Sequence, residues 1–516
     1  MSKQERFAES IRSGYEFKGK SIMLGGAMLD GEVISGLLVK APLKTFNRHG
    51  LIAGATGTGK TKSLQLISEQ LSDHGVSVLL MDIKGDLSGI AKAGTLNPKI
   101  EERHAKIGVP WKGSDHPVEF LSLSKENGAR LRATVSEFGP VLFSKILDLN
   151  DTQQSVVALI FKYCDDNQLP LLDLKDFKKV MNYITNEGKE EIEAQYGKVS
   201  TATTSTILRK VIELEQQGAE MFFGEKSFDV EDLCRCDENG KGILSIVRLT
   251  DIQDRPKLFS TFMLCLLAEI YARFPEEGDL DQPKLVVFID EAHLIFNEAS
   301  KALLDQIETI IKLIRSKGVG IFFCTQNPAD IPDSVLAQLG MKIQHALRAF
   351  TAKDRKAIKM AAENYPITEF YEVDELLTAL GMGEALVTVL NEKGNPTPLA
   401  ATLMLAPSSR MDILTPQEIE EINARSHLVK KYNQVIDRES AFEMLNQKIK
   451  AATVEQSQPP AGKSTSTSSP VQEKGVLQKG AEVVSDFSKS TAGRIIIREV
   501  TRSILGVLGI GGRRRR

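Results

Sequence analysis

Cysteine is scarce in this chain: five in 516 residues, Cys164, Cys234, Cys236, Cys265 and Cys324, an odd number with no Cys-x-x-Cys pair. That excludes the usual thiolate zinc spacings and a disulfide framework, and it is the usage of a reducing compartment. Cys234 and Cys236, one residue apart, read as two ordinary thiols near a loop. Long apolar runs are missing too. No uninterrupted stretch is long enough to cross a bilayer, and residues 1–14 lack the apolar centre of a signal peptide. A cytoplasmic protein is expected. Charge of one sign is also absent: 65 basic against 68 acidic side chains leave a net charge of −3. Any polyanion must therefore be held by a local patch, or by a lumen assembled from several subunits.

What is present is an ordinary globular composition, 42% hydrophobic and 26% charged, in a chain long enough for more than one compact unit. Residues 22–42 read as a few short strands. Apolar runs at 51–53, 76–81, 242–249, 284–289, 319–324, 342–347 and 384–390 alternate with helical periods at 258–271, 300–316 and 352–362. This predicts an α/β fold with a mainly parallel sheet covered on both faces. The run at 397–405 is expected at the sheet edge. Residues 153–163, 177–184 and 205–214 are helical in period without intervening strands, so they form a helical insertion. The expected segments are a short N-terminal β segment (1–47), the first part of the core (48–143), the helical insertion (144–226) and the second part of the core (227–406). C-terminal helices (407–452), a flexible linker rich in Ser, Thr, Pro and Gln (453–493) and an arginine-rich tail (494–516) follow. The tail carries seven arginines against one glutamate, interspersed with Ile, Leu and Val.

Gly54-Ala55-Thr56-Gly57-Thr58-Gly59-Lys60-Thr61 satisfies the pattern G-x-x-x-x-G-K-[ST], between a short apolar strand and an amphipathic helix. Glycines let a backbone wrap phosphates closely and aim its N–H groups inward at a helix start. Lys60 then meets the β- and γ-phosphates of ATP, and the Thr61 hydroxyl ligates magnesium. The run 285–289 ends in Asp290-Glu291, where an open α/β sheet presents acids to a ligand. Asp290 is expected to hold magnesium through water, and Glu291 to orient or deprotonate the attacking water. Asp290-Glu291-Ala292-His293 also spells a box of certain helicases, but the other boxes of that class do not occur between the loop and this strand, and His293 reads as a packed or helix-start residue. Gln326, ending the next strand, is either a sensor of the γ-phosphate or a polar strand end. Arg315, eleven residues before it, is either a finger for a neighbour's γ-phosphate or a cation balancing a helix C-terminus. Arg348 is the reserve candidate for the finger.

Residues 49–61, Asp82-Ile83-Lys84-Gly85-Asp86, 288–293 and Cys324-Thr325-Gln326-Asn327 together resemble the HerA/FtsK group of P-loop ring motors, and within it the HerA-like bacterial branch. Residues 134–140 and Ala346-Leu347-Arg348-Ala349-Phe350 add to the likeness, which covers about residues 20–405. The resemblance implies a RecA-like core, a ring that is usually hexameric, and movement of duplex DNA or another polymer through its pore. In related conjugation coupling proteins an arginine lies at a similar offset before the glutamine, which favours Arg315 as the finger. The chain departs from the archaeal DNA-end-processing members in its short N-terminal β segment, its helical insertion and its tail.

Two functions compete: an ATP-driven DNA translocase or helicase, and a nucleotide-switched assembly or scaffold ATPase that does not act on DNA. Duplex DNA would stimulate turnover in the first case only. The tail is open between an anionic lipid surface, nucleic acid, a protein partner and disorder.

Overall fold

The computed structural model describes residues 1–456 apart from 253–254, 279, 297–300, 435 and 437. Most of the linker and the whole arginine-rich tail lie outside the described residues. The described chain divides into two compact units, residues 1–132 with 226–434, and residues 133–225 with the described residues between 436 and 456.

The first unit is built on one sheet. Its strands are β1 (Ser21–Leu29), β2 (Glu32–Pro42), β3 (Gly50–Ala53), β4 (Ser77–Asp82), β5 (Val118–Ser122) and β6 (Ala129–Arg130). They continue with β7 (Leu244–Arg248), β8 (Leu285–Ile289), β9 (Val319–Thr325), β10 (Met341–His345), β11 (Glu384–Thr388) and β12 (Ala400–Met404). The order across the sheet is β2-β1-β12-β11-β10-β3-β9-β8-β4-β7-β5-β6. From β10 to β6 every pairing is parallel, and from β10 outward through β11, β12, β1 and β2 every pairing is antiparallel. The mainly parallel α/β expectation is met. Strands β4, β8 and β9 are buried at every position, as Val/Leu/Ile/Phe runs covered on both faces must be.

One expectation needs correction. β12 is not an edge strand: it pairs with β11 on one side and β1 on the other. All five of its residues are buried, which an exposed edge would not sustain. The N-terminal strands thus extend the same sheet. They are preceded by a helix, Lys3–Gly14, started by a capping box between Ser2 and Glu5.

The second unit is helical: Val135–Ile146, Asp151–Asp166, Leu174–Thr185, Lys189–Gln195, Thr201–Gln216 and Ala441–Gln456. Phe143 gathers Phe161, Phe177 and Phe223 around it at centroid distances of 6.1, 4.9 and 6.2 Å. The C-terminal helix docks here through its first turn, where Phe442 N donates to Asp176 Oδ1 at 2.9 Å and Ala441 N to Pro170 O at 3.0 Å.

Candidate functional site

β3 ends at Ala53, and the loop 54–59 leads directly into the helix Lys60–Asp73. The loop hangs from two neighbouring strand ends: Gly54 N donates to Thr325 O at 3.2 Å and Ala55 N to Ala346 O at 2.8 Å. Gly54, Gly57 and Gly59 have φ of 152°, 77° and 119°, a region that L side chains occupy at a cost. At Gly54 space is also closed, since a Cβ would sit 2.5 Å from His345 Cβ. At Gly57 nothing lies within 4 Å, so only the backbone conformation calls for glycine there. Lys60 Nζ donates back to Ala55 O at 3.1 Å, and Thr58 Oγ1 to the same carbonyl at 2.7 Å. Gly59 caps the helix without a side-chain hydrogen bond, which leaves the first-turn amides turned toward the loop as an anion site. Thr61 is the second helical residue and is half-buried.

The sheet order β3-β9-β8-β4 places four consecutive carboxyl ends along one edge. Thr325 pairs with Ala53, Phe323 with Ile289, and Ile289 with Met81, so Gln326, Asp290 and Asp82 emerge together. Asp290 and Glu291 are 5% and 6% exposed. Glu291 adopts φ 46°, one of a few non-glycine residues in the left-handed region. Lys84 forms an ion pair with Glu291 Oε1, and His293 Nδ1 stands 3.2 Å from Glu291 Oε2. Asp82 accepts from Gly85 N at 2.8 Å, Asp86 N at 3.1 Å and Leu87 N at 3.3 Å, which anchors the loop that carries Lys84.

Burial sets the electrostatics. It pushes Asp82 up to about 7, with the nearby Asp86 adding to the rise. It pushes Asp290 up to about 6, opposed by Lys84 and reinforced by Glu291. Burial lowers Lys60, as does Lys84, while Glu291 and Asp290 hold it up. Lys60 and the acid pair are therefore within each other's field. Two buried carboxylates, Asp290 and Glu291, thus stand in the field of Lys60 and Lys84. Hard oxygen donors from Thr61 and Asp290 suit a magnesium ion, so the residues fit that metal.

Gln326 approaches the loop through Thr56 Oγ1, 3.5 Å from Gln326 Oε1. Arg315 lies elsewhere. It begins a short 3₁₀ turn, Arg315–Lys317, before the amino end of β9, the edge opposite the loop. There it lines a cavity of about 560 Å³ together with Arg48, Lys312 and Lys342. Arg348 follows β10 at the loop's own edge and is exposed. The fold thus gathers residues 54–61, Asp290, Glu291 and Gln326, and leaves Arg315 apart.

Two residues with no assigned task in the motifs belong to the site. Lys84 is one; its sequence signals are its place just beyond the acid that ends a buried strand and its membership of the stretch Asp82–Asp86 that carries the family resemblance. His345 is the other, buried at the end of β10, with Nε2 2.9 Å from Ser63 Oγ and Nδ1 2.8 Å from Glu384 O. Burial lowers it to about 4, so it is neutral.

Comparison with known proteins places this geometry among relatives. The family model described as helicase HerA-like C-terminal matches residues 32–516. The DNA double-strand break repair helicase HerA of Saccharolobus solfataricus is 25% identical over 372 residues, covering 69% of this chain and 66% of that protein, just under two thirds of its length. The DNA import protein CedB of Sulfolobus acidocaldarius is 24% identical over 356 residues, 68% of this chain and 51% of that one. Among solved structures, the unbound monoclinic form of the bacterial conjugative coupling protein TrwBdeltaN70 aligns with 79% of this chain and 95% of its own at a TM-score of 0.50. At 14% identity that likeness is one of fold.

Proposed function

Because this chain belongs to the helicase HerA-like C-terminal family, we propose that it is a magnesium-dependent ATPase that works as a ring, in the cytoplasm, to translocate along or unwind duplex DNA. The observation that carries the reading is the mutual field of Lys60, Asp290 and Glu291 across the carboxyl ends of β3, β9 and β8. In it, residues 54–61 hold the triphosphate by backbone N–H groups and the Lys60 ammonium. Thr61 and Asp290 would hold a magnesium ion, which would supply positive charge to the phosphate oxygens. Glu291 takes the proton of the attacking water, and Gln326 links the γ-phosphate to β9.

Arg315 serves a neighbour in this reading. β9 spans seven residues, or roughly 20 Å at the usual rise, between the Arg315 turn and its own loop. From that edge the guanidinium reaches a triphosphate only on another copy, which is why a ring is part of the proposal.

A second reading, a nucleotide-switched assembly protein, is favoured by one observation: Glu291 is engaged by Lys84 rather than free to accept a proton. One experiment separates the two. Turnover of ATP by the purified protein is measured with and without linear duplex DNA, alongside its mass in solution with nucleotide. A DNA-stimulated rate in an oligomer supports the motor; a slow, DNA-indifferent rate supports the switch; no turnover beyond that of Lys60→Ala removes both.

Among the described residues no helix is long and apolar enough to cross a membrane. The arginine-rich tail is proposed to contact a polyanionic surface, which flotation with anionic liposomes tests.

A further inference from the structure

Lys84 enters the site on the loop that Asp82 pins with three backbone N–H groups. Its side chain is 38% exposed, whereas that of Glu291 is 7% exposed. The pair is therefore lopsided. The carboxylate is walled in, with a backbone conformation of φ 46° that fixes its direction, while the ammonium reaches in from solvent on a flexible stem. His293 Nδ1, 3.2 Å away, faces the other carboxylate oxygen. A carboxylate with one oxygen paired to an ammonium and the other facing a ring nitrogen is a poor acceptor for a water proton. Lys84 also has an alternative partner. Asp86, two residues on in the same pinned loop, lies in its field and is more exposed than Glu291.

We infer that Lys84 is a positioning residue that restrains Glu291, holding it in an ion pair that keeps hydrolysis slow until the ammonium swings away toward Asp86. The inference rests on the ATPase reading above and adds its regulation. In the restrained state ATP can be held on residues 54–61 without being consumed. Partner engagement that moves the loop 83–87, by a polyanion or by a neighbouring subunit, releases the base. The task is a restraint rather than a phosphate contact, because Lys84 faces the carboxylate that must accept a proton while Lys60 already faces the loop.

The test is steady-state ATP turnover of the full-length protein for wild type, Lys84→Ala, Lys84→Arg, Lys60→Ala, Glu291→Gln and the double variant Lys84→Ala/Glu291→Gln, with melting temperatures as a folding control. Lys84→Ala is expected to raise kcat several-fold with KM for ATP little changed. Lys84→Arg, which keeps the charge, returns the rate toward wild type, and Lys84→Ala has no effect once Glu291 is Gln. A lower or unchanged kcat in Lys84→Ala, or a raised KM without a raised kcat, overturns the restraint and makes Lys84 a phosphate contact or a bystander. Turnover that depends on Lys60 but ignores Lys84 sinks only this inference. A wild type and a Lys84→Ala variant both no faster than Lys60→Ala sink the ATPase reading as well.

Discussion

His345 Nε2 lies 2.9 Å from Ser63 Oγ, a contact between the last residue of β10 and the first turn of the helix that follows the glycine loop. The other ring nitrogen faces Glu384 O at 2.8 Å, so one buried imidazole ties the helix to β11 as well. The same side chain walls off Gly54. A histidine thus backs the loop, in addition to the hydrogen bonds that Thr58 and Lys60 make to Ala55 O. His345→Ala removes both hydrogen bonds and opens a cavity under the loop, at a cost of about 2–4 kcal/mol. The expected result is a lower melting temperature together with weaker nucleotide binding, read by calorimetry on one preparation.

Acid should destabilise the protein through two histidines. Burial lowers both His345 and His49 to about 4, from an ordinary value of 6.5. Their neutral forms are native, so the unfolded chain binds more protons between those values. The stability they contribute is complete above about 6.5 and is lost as pH falls toward 4, roughly 3 kcal/mol for each. Asp82 and Asp290, raised to about 7 and about 6, act in the opposite direction, since their buried charge costs stability as pH rises through those values. The difference between wild type and His49→Gln isolates the histidine: the gap in unfolding free energy should narrow from pH 7 to pH 5. A gap independent of pH would contradict the buried, neutral state of His49.

The glycines of the loop should separate by cause. Gly57→Ala meets no atoms and bears only the strain of φ 77°, roughly 1–2 kcal/mol. Gly54→Ala also drives a methyl to 2.5 Å from His345 Cβ and must displace the loop or the histidine. Nucleotide affinity should survive Gly57→Ala in part and be lost in Gly54→Ala. Equal losses would show that conformation alone matters at both positions.

Complementation tests Arg315. Arg315→Ala should bind ATP normally and turn it over ~10³–10⁵ times more slowly, as loss of an arginine finger does. Lys60→Ala has an intact Arg315 and no working loop. Mixing the two inactive variants should restore activity, because each supplies what the other lacks across a subunit boundary. If mixtures stay inactive while the wild type is oligomeric, Arg315 does not act between copies, and Arg348 becomes the residue to test.

Asp176 anchors the helical unit. It is 1% exposed and accepts from Leu172 N, Asp173 N and Phe442 N. Asp176→Ala leaves three partly buried backbone donors without a charged acceptor and should cost the helical unit about 1–3 kcal/mol. Amide exchange should then rise in the helix Ala441–Gln456 while the sheet of the first unit stays protected.

The glycine loop was readable because its chemistry is local: eight consecutive residues carry both the backbone freedom and the lysine. Asp290 and Glu291 were readable for a related reason, since an apolar run that stops at two acids marks a buried strand and its carboxyl end. Strand and helix periods likewise gave the alternation from which a parallel sheet follows. Hydrophobic period says which residues are buried and is silent on what lies beside them. For that reason β12 looked like an edge until β1, far earlier in the chain, was seen to pair with it.

Local sequence therefore specified the phosphate cradle and the acids, which depend on residue type over a few positions. Tertiary structure alone decided that β9 stands between β3 and β8, that Lys84 meets Glu291, that His345 backs the loop, and that Arg315 faces the opposite edge. These relations join residues tens to hundreds of positions apart, and they arise from the order in which strands pair, which no local period encodes.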